Sequence, residues 1–192
     1  MDDAQTIISF WVDEVGPQGW YKVDPALDSA IRERFMDDWE KARSGAYDRW
    51  MGCPKSILAL LILLDQFPRN MFRDDARAFS TDRHALRVAM RAIAAGFDRR
   101  VAEPQRQFFY LPLMHSELLP DQDRCVRMMM TRMPETGAPN LLHARAHREV
   151  IRRFGRFPTR NAALGRVNSR EEAAFLAEGG YGRVTRELEE AA

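Results

Sequence analysis

The chemistry open to this chain rests on three of its four histidines and a few acids set among apolar residues. His143 and His147 lie one helical turn apart in HARAH. At about 100° per residue both fall on the stripe drawn by Leu142, Ala146, Val150 and Phe154, while Arg145, Arg148 and Arg152 share the far side and Arg153 the border. Imidazoles on an apolar face have two readings: neutral core histidines bonded to carbonyls, or groups of a site. Histidines at this spacing can hold a metal, but the glutamate of an HExxH motif is missing and there is no CxxC pair, so no metal is expected. His115 and Glu117 stand two apart in another apolar segment, either as a buried pair or as a general acid/base. His115, Glu117 and His147 are therefore the candidate catalytic residues.

Asp65 is the third break in pattern. It follows eight consecutive apolar residues, Ile57 to Leu64, and precedes Gln66-Phe67-Pro68-Arg69-Asn70. A helix apolar on every side belongs at the centre of a bundle. The run falls well short of the roughly 20 residues a membrane crossing needs. Pro68 is expected to stop this central helix, 57–66, since it cannot donate a backbone hydrogen bond. Asp65 would then sit in the last turn, opposed by the helix dipole, and would need an arginine from FPRNMFR or from RRFGRFPTRN.

The elements that position these groups read as helices throughout. Ile7, Ile8, Trp11 and Val15 repeat at helical spacing after Asp2 and Asp3, which can cap. Asp24-Pro25 opens a helix carrying Leu27, Ile31, Phe35, Trp39 and Ala42. Trp20 and Tyr21, in the loop before it, read as a lid over the core. Ser80-Thr81-Asp82 begins a helix that Gly96 ends. Pro112 kinks or splits the segment QRQFFYLPLMHSELL, Pro120 and Pro139 start two further helices, and Gly155 closes the second of them. Ser169 and Glu172 have capping-box spacing for a last helix, which Gly179-Gly180 would stop. No segment alternates with a period of two. The expected fold is all-α: about eight helices in one domain over 1–180, with a polar tail over 181–192.

Composition narrows the function classes. The chain has 192 residues and a formal charge of +1, which argues against a nucleic-acid partner bound through overall basicity. Lysine occurs only at 22, 41 and 55, so the basic side is nearly all arginine. That reflects either a GC-rich genome or planar recognition of carboxylate and phosphate. The opening MDDAQTIISF is acidic where a signal peptide is basic, so the expected location is the cytoplasm, away from any membrane. A monomer or homodimer is expected.

From residue 152 to 161, arginines interleave with Phe154 and Phe157. Pairing with Asp65, Glu117 and Asp121 explains them better than nucleic acid does. LLDQFPRNMFR at 63–73, AFSTD at 78–82, FFYLPLMHSE at 108–117, DQDR at 121–124 and HREVIRRFGRFPTRNAALGR at 147–166 together resemble the domain-of-unknown-function 924 family of mostly bacterial proteins. The resemblance runs from about Ile8 to Gly180. It implies an all-helical fold similar to tetratricopeptide-repeat proteins and no settled activity. It also implies that Asp65, Arg69, Asn70, His115, Glu117, Asp121, His147, Arg148, Arg153, Arg156 and Asn161 belong to the shared motifs. Thr159 stands where the family often has histidine.

Two functions from different classes follow. One is a pocket for a small carboxylate- or phosphate-bearing ligand, with Asp65, Arg69, Asn70, Asp121, Arg148, Arg153, Arg156 and Asn161 as ligand-binding candidates and acid/base chemistry within reach. The other is a tetratricopeptide-like scaffold for a peptide or protein partner, its polar cluster structural. The residues name no cofactor and leave open whether the protein is an enzyme.

Overall fold

The computed structural model describes residues 3–191, so the proposed cap Asp2 lies outside them. Helices form the described residues, with no strand among them, as the all-helical reading expects. No described helix is long and apolar enough to cross a membrane. The chain divides into two compact units, Met1–Pro112 and Leu113–Ala192.

The first unit opens with α1 (Asp3–Ile8), which widens into π-helical turns over Ser9–Val15. Helix α2 (Pro25–Arg43) starts as the Asp24-Pro25 pair dictates. The Asp24 carboxylate accepts from the amides of Ala26 and Leu27 at 2.9 and 3.3 Å, and proline occupies the first turn. Its buried stripe is Ile31, Phe35, Trp39 and Ala42. The central segment begins as α3 (Pro54–Leu61), followed after a loop by α4 (Asp82–Ala94). None of Ile57 to Leu64 is more than 4% exposed. Around them Phe10, Phe35 and Phe67 interlock, with Phe35 and Phe67 centroids 4.8 Å apart. All four tryptophans, Trp11, Trp20, Trp39 and Trp50, are buried in this unit. Trp20 serves as the expected lid, donating to the Trp11 carbonyl at 2.7 Å, but Tyr21 is 59% exposed.

Pro68 does not stop the central helix. The chain instead widens to π geometry over Ile62–Gln66 and resumes as a short helix, Phe67–Met71. The α-register partner of the Leu64 carbonyl is residue 68, which has no N–H, and the ring crowds that carbonyl. The π widening makes room for the ring, and Thr81, at the start of α4, supplies the missing donor: its hydroxyl, 1% exposed, donates to the Leu64 carbonyl at 2.6 Å. Asp65, also 1% exposed, accepts from Gln66 and from Arg69 at 3.2 Å. Arg69 reaches on to Asp82 at 2.9 Å and to the Ala78 carbonyl at 3.1 Å. Asp65 thus has its arginine one turn along the same helix, and the expected clash with a helix end does not arise.

The second unit is built on α5 (Leu119–Arg132) and α6 (Ala138–Phe154), packed as a helical hairpin, with α7 (Arg170–Ala177) and α8 (Gly180–Glu190) following. Gly155, at φ 66°, closes α6 in the left-handed conformation that glycine adopts without strain. The Ser169–Glu172 capping box forms as its spacing predicts. The expected polar tail over 181–192 is mostly helix, because Gly179-Gly180 turns the chain instead of ending it. Tyr181, Val184 and Leu188, on one face of α8, pack with Val150, Phe157 and Phe175.

Two substitutions test the central segment. Asp65→Asn keeps the shape but breaks a buried pair, so it should lower unfolding free energy in urea by about 3 kcal/mol. A loss below about 1 kcal/mol would give the pair only surface weight. Thr81→Val should cost about 1–3 kcal/mol by leaving the Leu64 carbonyl short of a donor.

Candidate functional site

Most of the arginines expected to hold a ligand are already held by the protein. In the first unit, Arg69 is engaged by Asp65 and Asp82. Asn70 donates to Asp28 at 2.8 Å, and Arg73 binds the same carboxylate, fastening the Phe67–Met71 helix to α2. These residues hold helices together.

In the second unit Arg156 grips Glu172 through two hydrogen bonds, at 2.6 and 2.7 Å. The guanidinium holds that carboxyl down to about pKa 2. Asn161 joins the same carboxylate at 3.3 Å and Asn168 at 2.7 Å. Arg153 binds Glu149 at 2.6 Å and approaches Glu187 at 3.7 Å. Arg148 meets Asp123 at 3.4 Å on the surface. The expected partners of this stretch are Asp65, Glu117 and Asp121, but Arg153 and Arg156 take Glu149, Glu187 and Glu172. Asp121 accepts from the Ser116 hydroxyl at 2.6 Å in the first turn of α5.

Glu117 is not paired with His115 as a free acid/base. Its carboxylate accepts from both terminal nitrogens of Arg166, at 2.8 and 3.0 Å, and from the Phe157 amide at 2.8 Å. Burial pushes its pKa up, but Arg166 and that amide pull it below the ordinary glutamate value. The residue is an ionised clamp on the turn at Phe157. Around it the segment 105–119 is not one kinked helix. It breaks into short turns, Gln105–Phe109 and Leu111–Met114. The buried amide of Gln122 caps the second turn, donating to the carbonyls of Met114 at 2.7 Å and Ser116 at 2.6 Å.

What remains is a cleft of about 240 Å³ within the second unit. Val150, Phe157, Pro158 and Phe175 give it apolar walls, and His147, Thr159, Arg160 and Tyr181 give it polar ones. The backbone builds this directly. Helix α6 brings His147 and Val150, the turn Pro158–Arg160 brings Thr159 and Arg160, and α8 brings Tyr181. The Arg160 guanidinium lies 4.5 Å from the Phe157 ring centroid and donates to the His115 carbonyl at 3.0 Å.

His147 is half-buried between Phe157 and Tyr181, with centroids 5.4 and 4.8 Å away. His115 lies edge-on at 6.3 Å. Burial first, then the charges of His115 and Arg160, push its pKa down to about 3, although its bond to the His143 carbonyl opposes this. His143 departs from its expected place. It is exposed, its Nδ1 2.6 Å from the Tyr181 hydroxyl. Periodicity gives the face of α6 correctly, since Ala146 and Val150 are buried there, but not how far along the helix that face is covered. Sequence reasoning missed Arg160 and Tyr181 as site residues. Their signals were the arginine beside Thr159 in FPTRN and the Tyr181, Val184, Leu188 spacing.

The lowered pKa of His147 makes a pH prediction. Unfolded, the imidazole binds a proton below about pH 6.5; folded, it resists until about 3. The unfolded state therefore holds more protons in this window, and stability falls as pH drops through it. The carboxylates Glu117, Glu149 and Glu172, with lowered pKa values, lose their contribution only below about pH 4.5. Between pH 7 and 5, wild type should lose up to about 2 kcal/mol more than His147→Gln in urea melts followed by circular dichroism. Parallel losses would place the imidazole in water.

The structure is similar to that of a protein of unknown function, ATU0120, from Agrobacterium tumefaciens, with 40% identity and a TM-score of 0.86, covering 91% of this chain and 97% of that one. No curated protein matches. A family model described as a bacterial protein of unknown function, DUF924, matches residues 7–180. Spanning nearly the whole chain, that match shows that the protein belongs to the DUF924 family.

Proposed function

We propose that the second unit binds a small carboxylate- or phosphate-bearing ligand in the cleft between α6, α8 and the Pro158–Arg160 turn. The observation that carries this reading is the convergence of Arg160, His147, Thr159 and Tyr181 on one apolar-walled concavity. Sites for drug-sized ligands occupy about 300–1,000 Å³, so a cleft of about 240 Å³ suits a metabolite-sized one. A histidine with a strongly displaced pKa in such a cleft also supports a functional site, one in which the neutral imidazole serves for hydrogen bonding. The ligand residues are then Arg160, His147, Thr159 and Tyr181. Asp65, Arg69, Asn70, Asp121, Arg148, Arg153, Arg156 and Asn161 position helices and turns around it or elsewhere in the chain.

A second reading, the helical scaffold for a peptide or protein partner, draws support from those same paired side chains. Arg156–Glu172 and Arg166–Glu117 are hydrogen-bonded ion pairs that a structural role explains.

The two readings part in a binding experiment. Propionate and propyl phosphate, titrated against the whole chain at pH 7, should raise its melting temperature in a dose-dependent way. A ligand at about 100 times its Kd adds about 2.7 kcal/mol. Arg160→Gln should abolish the shift, and Arg148→Gln, on the exposed side of α6, should leave it intact. A flat response to both anions would overturn the ligand site in favour of the scaffold.

A further inference from the structure

The cleft reading leaves open what the ligand carries besides its negative charge. Building on that reading, we propose that the ligand is a small hydroxylated acid, whose anionic end meets Arg160 and whose hydroxyl donates a hydrogen bond to Nε2 of His147.

The tautomer of His147 follows from its backbone contact. Nδ1 of His147 lies 2.8 Å from the backbone oxygen of His143, one turn back on α6. A carbonyl can only accept, so Nδ1 carries the proton. In the neutral ring Nε2 is then the bare nitrogen, an acceptor. It lies on the opposite edge of the imidazole, directed away from the backbone that holds Nδ1. Among the described residues nothing hydrogen-bonds to it.

The surroundings keep the ring neutral. The groups placed around it offer an apolar edge or disfavour a second proton: Phe157 and Arg160 from the turn, His115 from the segment before α5, His143 from α6 itself and Tyr181 from α8. No carboxylate is among the groups that displace its titration. The Tyr181 hydroxyl is engaged with His143 at 2.6 Å.

The cleft's polar lining therefore includes a guanidinium and a neutral imidazole with one bare nitrogen acceptor, beside apolar walls. A plain carboxylate satisfies only the first. It would cover Nε2 without giving it a donor, and a desolvated acceptor left unpaired costs affinity. An amine, protonated at neutral pH, would bring a second cation beside Arg160. A hydroxyl brings the donor without the charge. One such hydrogen bond corresponds to about a tenfold preference.

Matched pairs of probes test this by calorimetry on the whole chain: lactate against propionate, and glycerol 3-phosphate against propyl phosphate. The expected result is that the hydroxylated member of at least one pair binds about tenfold tighter, and that His147→Phe removes the preference while leaving weak anion binding. Equal affinities within both pairs would overturn the hydroxyl assignment and leave the anion site standing. A preference that survives in His147→Phe would also overturn it. If no probe binds, the assignment and the anion site fall together. Should His147→Phe not fold by circular dichroism, the wild-type protein still decides through long-range ¹H–¹⁵N spectra. An unprotonated Nε2 that shifts on adding the hydroxylated probe supports the proposal, and a protonated or unresponsive one overturns it.

Discussion

A proline placed inside a buried helix sets the terms for the first unit. Pro68 removes the amide that the Leu64 carbonyl would otherwise use, in the most apolar part of the chain. An unpaired carbonyl there costs about 1–3 kcal/mol, so a donor must come from elsewhere. The hydroxyl of Thr81 supplies it, and Arg69, one residue past the proline, reaches Asp82 and the Ala78 carbonyl. Two segments far apart in sequence, FPRN and AFSTD, are thus one structural device. Its members are polar because the helix they serve has a gap.

Much of this was legible in the residues. The apolar run announced a central helix, the isolated acid announced a buried pair, and Arg69 stood at the right spacing to form it. What the residues did not reveal was the response of the helix to its proline. The helix widens and continues, and Phe67 and Met71 are both buried on the far side of the break. The Gly179-Gly180 pair misled for a related reason. Glycine marks a change of backbone direction, and only the apolar spacing beyond it shows whether another helix follows.

The site was legible in part. The long arginine-rich stretch near the end of α6 does surround the cleft, but charge alone could not say which guanidinium faces it. Arg153 and Arg156 find Glu149 and Glu172 four and sixteen positions away, distances that a linear reading cannot rank. Glu117 shows the same limit. Beside His115 in sequence, it resembles half of a catalytic pair, yet its geometry ties it to Arg166, forty-nine residues on. Sequence proximity of chemically suited groups says little where the chain leaves helix between them, as it does after Met114.

The distribution of tryptophan gives the two units separate optical signatures. Trp11, Trp20, Trp39 and Trp50 all belong to the first unit, and the second, from Leu113 on, has no indole and a single phenol, Tyr181. Emission excited at the red edge of the indole band therefore reports on the first unit alone. The helical ellipticity sums over both. Where the two signals trace one curve, the units melt as a single cooperative body; where they separate, the emission curve identifies the first unit's transition without any label.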